Sequence, residues 1–211
     1  MRLLTKSLCG FFMLSVLGLV FGDAIVAQDK AKDKKKEVKK VELKVKAGDT
    51  APAFESVDEN GKAVKSTDIV GKKVVVLYFY PADFTGGCTK QACGFRDDIE
   101  KLGSKNVVVL GVSGDSVATH KLFKAHHKLP FSLLADEKGD VAKAFGVPVG
   151  KGGKSPTINE NGEKGQADRG ATIGRYTVVI GLDSKVADIS PIGDAGGDSK
   201  RVAAIVAKLA K

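Results

Sequence analysis

Cysteine is scarce in this chain of 211 residues: only Cys9, Cys88 and Cys93 are present. No Cys-x-x-Cys pair occurs, which argues against a dithiol oxidoreductase of the usual spacing. Histidine is as scarce, with His120, His126 and His127 alone. His126 and His127 fall near the end of a predicted helix, where positive charge suits the dipole, so a surface or capping role is expected for them. No internal repeat and no nucleic-acid-binding motif is recognisable. The uncharged run Leu8–Gly22 is stopped by Asp23, short of the ~20 apolar residues that a membrane span needs.

That run has another use. Arg2 and Lys6 precede it, and the small residues Gly22, Ala24 and Ala27 follow it. This is the charged, apolar and small-residue order of a secretory signal peptide, here assigned to residues 1–27. Export implies a periplasmic or extracellular protein, membrane-anchored if the signal stays uncleaved. Cys9 leaves with a cleaved signal, so the mature chain keeps two cysteines. Residues 28–46 hold nine lysines against four acids. Such a block repels itself and has little to bury, so it is expected to be a disordered linker able to make a weak contact with anionic surfaces. The formal charge of +9 comes mostly from here. Residues 1–46 carry eleven basic and five acidic residues, leaving 23 basic and 20 acidic for the rest. The domain at 47–211 is therefore not a basic nucleic-acid binder, and it is long enough for a real core.

Within the domain, Val74–Tyr80 is almost continuously apolar, as expected of a central strand covered on both faces. Val107–Val112 repeats the pattern. A helix is predicted over Cys88–Leu102, and another from a cap at Asp115 or Ser116 to about Lys128. A short strand at Phe131–Leu134, a turn at Asp136–Gly139 and a helix at Val141–Phe145 follow. Tyr176–Leu182 and Lys185–Ile189 read as a hairpin, and Ser199–Ala210 as an amphipathic helix. Val149–Gly174, rich in Gly, Lys, Asn and Asp, is expected to be a long surface loop with at most a short hairpin around Asn161-Gly162. The order implies an α/β fold with a central mixed sheet flanked by helices.

The chemistry concentrates at Tyr78-Phe79-Tyr80-Pro81-Ala82-Asp83-Phe84-Thr85-Gly86-Gly87-Cys88. A buried strand turns through proline and two glycines and sets a cysteine where a helix begins. Free backbone N–H groups and the positive end of the helix dipole there favour thiolate over thiol. Cys93, five residues on, can trap an oxidised form of Cys88.

Pro81, Thr85 and Cys88 form P-x-x-x-T-x-x-C, and the chain resembles the peroxiredoxins on this ground. The Cys-x-x-x-x-Cys spacing and Phe95-Arg96-Asp97 resemble the peroxiredoxin Q, or bacterioferritin comigratory protein, branch. So do Gly48–Phe54, Gly111–Ser116, Leu129-Pro130-Phe131, Phe145-Gly146-Val147 and Arg175–Ile180. The resemblance runs from about Lys46 to Lys211 and implies a thioredoxin-like fold. It also implies a thiol-dependent peroxidase without cofactor or metal, acting on hydrogen peroxide and organic hydroperoxides. Cys88 would be the peroxidatic nucleophile, oxidised to a sulfenic acid. Arg175 would stabilise the thiolate and hold a peroxide oxygen, Thr85 would orient the peroxide, and Pro81 would shield the thiolate. Cys93 would resolve the sulfenic acid as a Cys88–Cys93 disulfide, recycled by a thioredoxin-like reductase or a small thiol. Because that disulfide is intramolecular, a monomer is expected.

Residues five apart on a helix are separated by ~7.5 Å of rise, whereas a disulfide tolerates ~4.4–6.8 Å between Cα atoms. The helix must therefore unwind on each turnover, and a static structural disulfide is disfavoured. Two positions depart from the branch: Gly86 where proline is usual, and Gln91 where glutamate is usual. The first should loosen the turn, and the second should remove a negative charge near Cys88. The rival function is an exported thioredoxin-like copper-binding module, but such proteins resemble a Cys-x-x-x-Cys pattern that this chain lacks.

Overall fold

The structure, a computed structural model, describes residues 43–102 and 106–209. The signal assigned to 1–27 and the linker up to residue 42 lie outside the described residues. The last part of the expected linker does not behave as a tether. Val45 is buried in the core, and the Lys46 N–H donates to Asp49 Oδ2 at 3.0 Å. One valine between two lysines carries no visible periodicity, yet it is enough to seat the chain on the domain.

The first strands, β1 (Glu55–Val57) and β2 (Ala63–Lys65), are short and half-exposed. At three residues each they show no readable alternation. β3 (Val74–Phe79) is buried at all six positions. Its alternate residues serve opposite faces, as the pleat requires. Val75, Leu77 and Phe79 face one core, with Phe145 of α3 (Asp140–Phe145). Val74, Val76 and Tyr78 face the other. There they meet Phe95 of α1 (Gly86–Asp97), Phe123 of α2 (Val117–His127) and Val202 and Val206 of α4 (Asp198–Leu209).

β3 pairs in parallel with β4 (Val107–Ser113), which pairs in parallel with β5 (Ser132–Ala135). On its other side β3 pairs antiparallel with β8 (Tyr176–Ile180), and β8 with β9 (Val186–Pro191). The seven-stranded sheet runs β2-β1-β5-β4-β3-β8-β9, so the expected central mixed sheet flanked by helices is what forms. α1 begins two residues earlier than expected and stops at Asp97, with turns from there to Leu102. Ser116 caps α2, its hydroxyl accepting from Thr119 N–H.

The expected long loop is instead a hairpin of two ten-residue strands, β6 (Val149–Ile158) and β7 (Lys164–Ile173). Its turn falls at the predicted place. Asn159 Oδ1 accepts from the N–H groups of Asn161 and Glu163, and Gly162 takes φ +83°. Of its residues only Ser155, Ala171 and Ile173 are buried. So few buried positions leave no apolar alternation to mark the strands. Gly114 lets the base close on the sheet: the Gly170 N–H donates to Gly114 O at 2.9 Å, and a Cβ at Gly114 would lie 2.2 Å from Ala171 O.

Candidate active site

The turn between β3 and α1 starts where the ladder ends. Tyr80 N–H makes a last bond to Val112 O at 3.1 Å, and Pro81 has no N–H to extend the pairing. Thr85 then serves as N-cap in an extended conformation, and the first helical backbone bond runs from Thr89 N–H to Thr85 O at 2.8 Å. The N–H groups of Gly86, Gly87 and Cys88 therefore open the helix without intrahelical acceptors. Cys88 is in that first turn and is fully buried, whereas both glycines are exposed.

β3 and β8 pair Phe79 with Tyr176, so Arg175 stands just past the C-terminal end of β3, beside this turn. Arg175 Nη2 donates to Cys88 Sγ at 3.2 Å. A side chain at Gly87 would begin 3.2 Å from the same Nη2 and crowd the guanidinium. Arg175 Nη1 donates to Gln91 Oε1 at 2.7 Å, and Gln91 Nε2 donates onward to Asp198 Oδ2 at 2.8 Å. Thr177 Oγ1 donates to the same carboxylate oxygen at 2.6 Å, and Arg201 Nε to Oδ1 at 3.1 Å. Gln91, Asp198 and Thr177 are all buried. The negative charge expected to be lost at Gln91 is thus present one side chain further out, with the amide as spacer. Nothing in the sequence joins Gln91 to Asp198, 107 residues away. Asp198 reads there as an ordinary first-turn acid of α4.

The turn itself is pinned from below. Asp83 accepts from the Tyr80 hydroxyl at 2.7 Å, and its other oxygen is 2.7 Å from His120 Nδ1. The Asp83 N–H donates to Asp115 Oδ2 at 2.9 Å. Asp115 also accepts from Ser113 Oγ at 2.6 Å and, at its other oxygen, from Ser155 Oγ of β6 at 3.1 Å. Asp83, Asp115 and His120 are each fully buried. Burial disfavours a charged His120, but the Asp83 carboxylate outweighs it and holds the imidazole above its ordinary value of 6.5. Phe84, between Asp83 and Thr85, has φ +55°. Such a conformation costs ~1 kcal/mol or more. It is held by packing of the Phe84 ring on Phe123, His126 and His127, with centroids 5.0, 6.0 and 6.0 Å away.

Thr85 Oγ1 donates to Ala82 O at 3.0 Å. Its proton is therefore committed inward, leaving its lone pairs for an incoming donor. The structure brings Cys88, Thr85 and Arg175 to one place, with Pro81 at the start of the same turn. Cys93 lies on the same helix but is turned away. Both thiols are free, and Cys93 Sγ lies 4.0 Å from Nδ1 of His127 on α2. His127 was expected to be a surface or capping residue, but it is half-buried against α1. Asp83, Asp115, His120, Thr177, Asp198 and His127 were not singled out for the site from sequence.

Residues 47–189 match the model of the AhpC/TSA family. The chain is 51% identical over 113 residues to "Peroxiredoxin Q, chloroplastic" of Oryza sativa subsp. japonica, covering 54% of this chain and 52% of that protein. It thus spans about half the length of the curated relatives it matches. Among solved structures it is similar to peroxidoxin BcpB from Mycobacterium tuberculosis, at 30% identity and a TM-score of 0.64 over 78% of this chain and 98% of that one. It is also similar to peroxiredoxin Q of Xanthomonas campestris, at 25% identity and a TM-score of 0.60 over 75% of this chain and 92% of that one. The copper-module alternative finds no support. Among the described residues no three His, Cys, Asp or Glu side chains gather as a metal site, and His120 is committed to Asp83.

Proposed function

The chain belongs to the AhpC/TSA family, and from that premise we propose that it is a thiol peroxidase with Cys88 as its peroxidatic residue. The observation that carries this reading is the guanidinium of Arg175, 3.2 Å from a buried sulfur in the first turn of α1. A cation there meets a sulfur in the first turn of a helix whose leading N–H groups have no intrahelical acceptors, the setting in which a cysteine serves as a nucleophile. The thiolate attacks one oxygen of a hydroperoxide, the O–O bond breaks, and an alcohol or water leaves. Sulfur is oxidised to sulfenic acid. Arg175 Nη2 faces both the sulfur and the oxygen that gains charge, as a preorganised donor should. Thr85 Oγ1 accepts a hydrogen bond from the peroxide O–H and orients the peroxide toward sulfur. Pro81 shields the turn from water.

In the second half-reaction Cys93 attacks the sulfenic sulfur, giving the Cys88–Cys93 disulfide and water. Both cysteines lie on α1, so the helix unwinds between them. Oxidation of Cys88 weakens the contact with Arg175, which loosens the chain through Gln91 to Asp198 and so favours that unwinding. The substrates we assign are hydrogen peroxide and organic hydroperoxides, and the reductant is a thioredoxin-like protein or a small thiol. The domain works as a monomer. Residues 1–27 form an export signal, and the lysine-rich segment ahead of the seated Val45 forms a tether able to touch anionic surfaces. The chloroplastic names of the plant relatives agree with an N-terminal targeting segment in general, and export itself rests on the run Leu8–Gly22.

The test is peroxide consumption by the reduced chain in the presence of a dithiol. Cys88→Ser is expected to abolish it. Consumption that survives this change at the wild-type rate would overturn the assignment.

A further inference from the structure

Cys93 sits one turn beyond the nucleophile, where its sulfur faces α2. His127, the last residue of that helix, presents Nδ1 to Cys93 Sγ at 4.0 Å, the long end for a hydrogen bond to sulfur. The imidazole is fixed from several sides. Its ring packs edge-on against Phe123 at 4.8 Å and against Phe84 at 6.0 Å. Its backbone carbonyl accepts from Arg96 Nη1 at 2.7 Å, tying the end of α2 to α1. Arg96 is three residues after Cys93 on the same face of α1, so a guanidinium lies beside both sulfur and imidazole. The charged and titratable groups around the ring are thus Cys93 and Arg96 from α1 and His126 from its own helix, with Asp97 held outward on Arg96 Nε. Burial, then His126, then Arg96 push His127 below its ordinary value of 6.5. It is therefore neutral at physiological pH and, with the proton on Nε2, can accept one at Nδ1.

We propose that His127 is a catalytic residue of the resolving step: its Nδ1 takes the Cys93 thiol proton as Cys93 Sγ attacks the Cys88 sulfenic sulfur. The inference rests on the peroxidase reading above. One S–H and one S–O bond break, one S–S bond forms, and the proton goes to the departing hydroxide to make water. No outside oxidant or reductant enters. Arg96 holds the nascent thiolate by charge. The exposed Gly86 and Gly87 place the yielding turn at the Cys88 end of α1, so Cys93 can stay on His127 while Cys88 swings to it. The histidine pair, whose sequence context suggested no more than a helix end, acquires a chemical use through this packing.

The experiment is rapid acid quench of the reduced full chain after one equivalent of hydrogen peroxide, read by intact mass. A gain of about 16 Da reports the sulfenic acid and a loss of about 2 Da the disulfide, so both steps are timed in one series. In the wild type the disulfide step should slow as pH falls through the imidazole's value, below 6.5. His127→Gln should slow that step about tenfold or more relative to the oxidation step and erase the inflection. His127→Asn, shorter by one methylene, should do the same, which separates the chemistry from a packing defect. Disulfide formation within about twofold of wild type, with the inflection intact, would overturn the proposal. Failure of the peroxidase reading looks different: neither mass change appears in the wild type.

Discussion

The two cysteines of α1 occupy opposite kinds of environment. Cys88 is fully buried, with Arg175 at 3.2 Å, and Arg175 is itself steadied by Gln91 and, through it, Asp198. Cys93 is half-buried and has one long contact, to a histidine on another helix. The first surroundings hold a sulfur in one fixed position beside a cation. The second suit a group that must stay available to a partner not yet in reach. One short helix holds both because its first turn is capped by a strained, heavily pinned loop, whereas its second turn leans on α2.

The comparison can be broken at its charged end first. Arg175→Met removes the cation from a site built around it, and the oxidation of Cys88 should slow by about 10²–10³-fold. Stopped-flow or competition kinetics with hydrogen peroxide would measure this. An unchanged rate would mean that the helix terminus alone activates the thiol. A smaller effect is expected one link away. Gln91→Leu leaves Arg175 Nη1 and Asp198 Oδ2 each short of a partner in a buried setting, which costs roughly 1–3 kcal/mol of stability. The oxidation rate should fall about tenfold, because Arg175 loses the anchor that aims it. Urea unfolding and the same kinetics would report the two effects separately.

The smallest effect concerns the support beneath the turn. The folded value of His120 lies above 6.5, so the His120–Asp83 contact stabilises the protein fully below that pH. The contribution is lost as pH rises through the raised value. Asp83 also lies above its ordinary 3.8, because burial outweighs His120 and Tyr80. Thermal unfolding midpoints should therefore decline by a few degrees as pH rises above 6.5, and His120→Asn should flatten that decline.

How much of this was legible in the sequence follows the same division. The setting of Cys88 is local: an apolar strand at Val74–Phe79, a turn, a helix start, and residue types at fixed offsets. Arg175 was named only by the resemblance of Arg175–Ile180 to the peroxiredoxins, and the structure places it beside Cys88. The contacts that steady these residues are long-range. Gln91 meets Asp198 across 107 residues and Asp83 meets His120 across 37, and neither pair leaves a periodic trace. His127 looked like a helix end, and it is one, but only the packing of α2 on α1 puts its ring beside Cys93. The β6–β7 hairpin was read as loop because its strands bury few residues, so Gly and Lys were free to occupy positions where strands usually show β-branched residues. Its turn was visible because Asn159–Gly162 needs particular side chains and a positive φ, whatever surrounds it.

The most direct test of the central claim joins both cysteines in one measurement. The reduced chain is mixed with one equivalent of hydrogen peroxide, and thiols, intact mass and digested peptides are followed over seconds. The account predicts loss of both Cys88 and Cys93 thiols, a mass decrease of about 2 Da, and a Cys88–Cys93 crosslinked peptide. Two thiols that persist with an unchanged mass would contradict it.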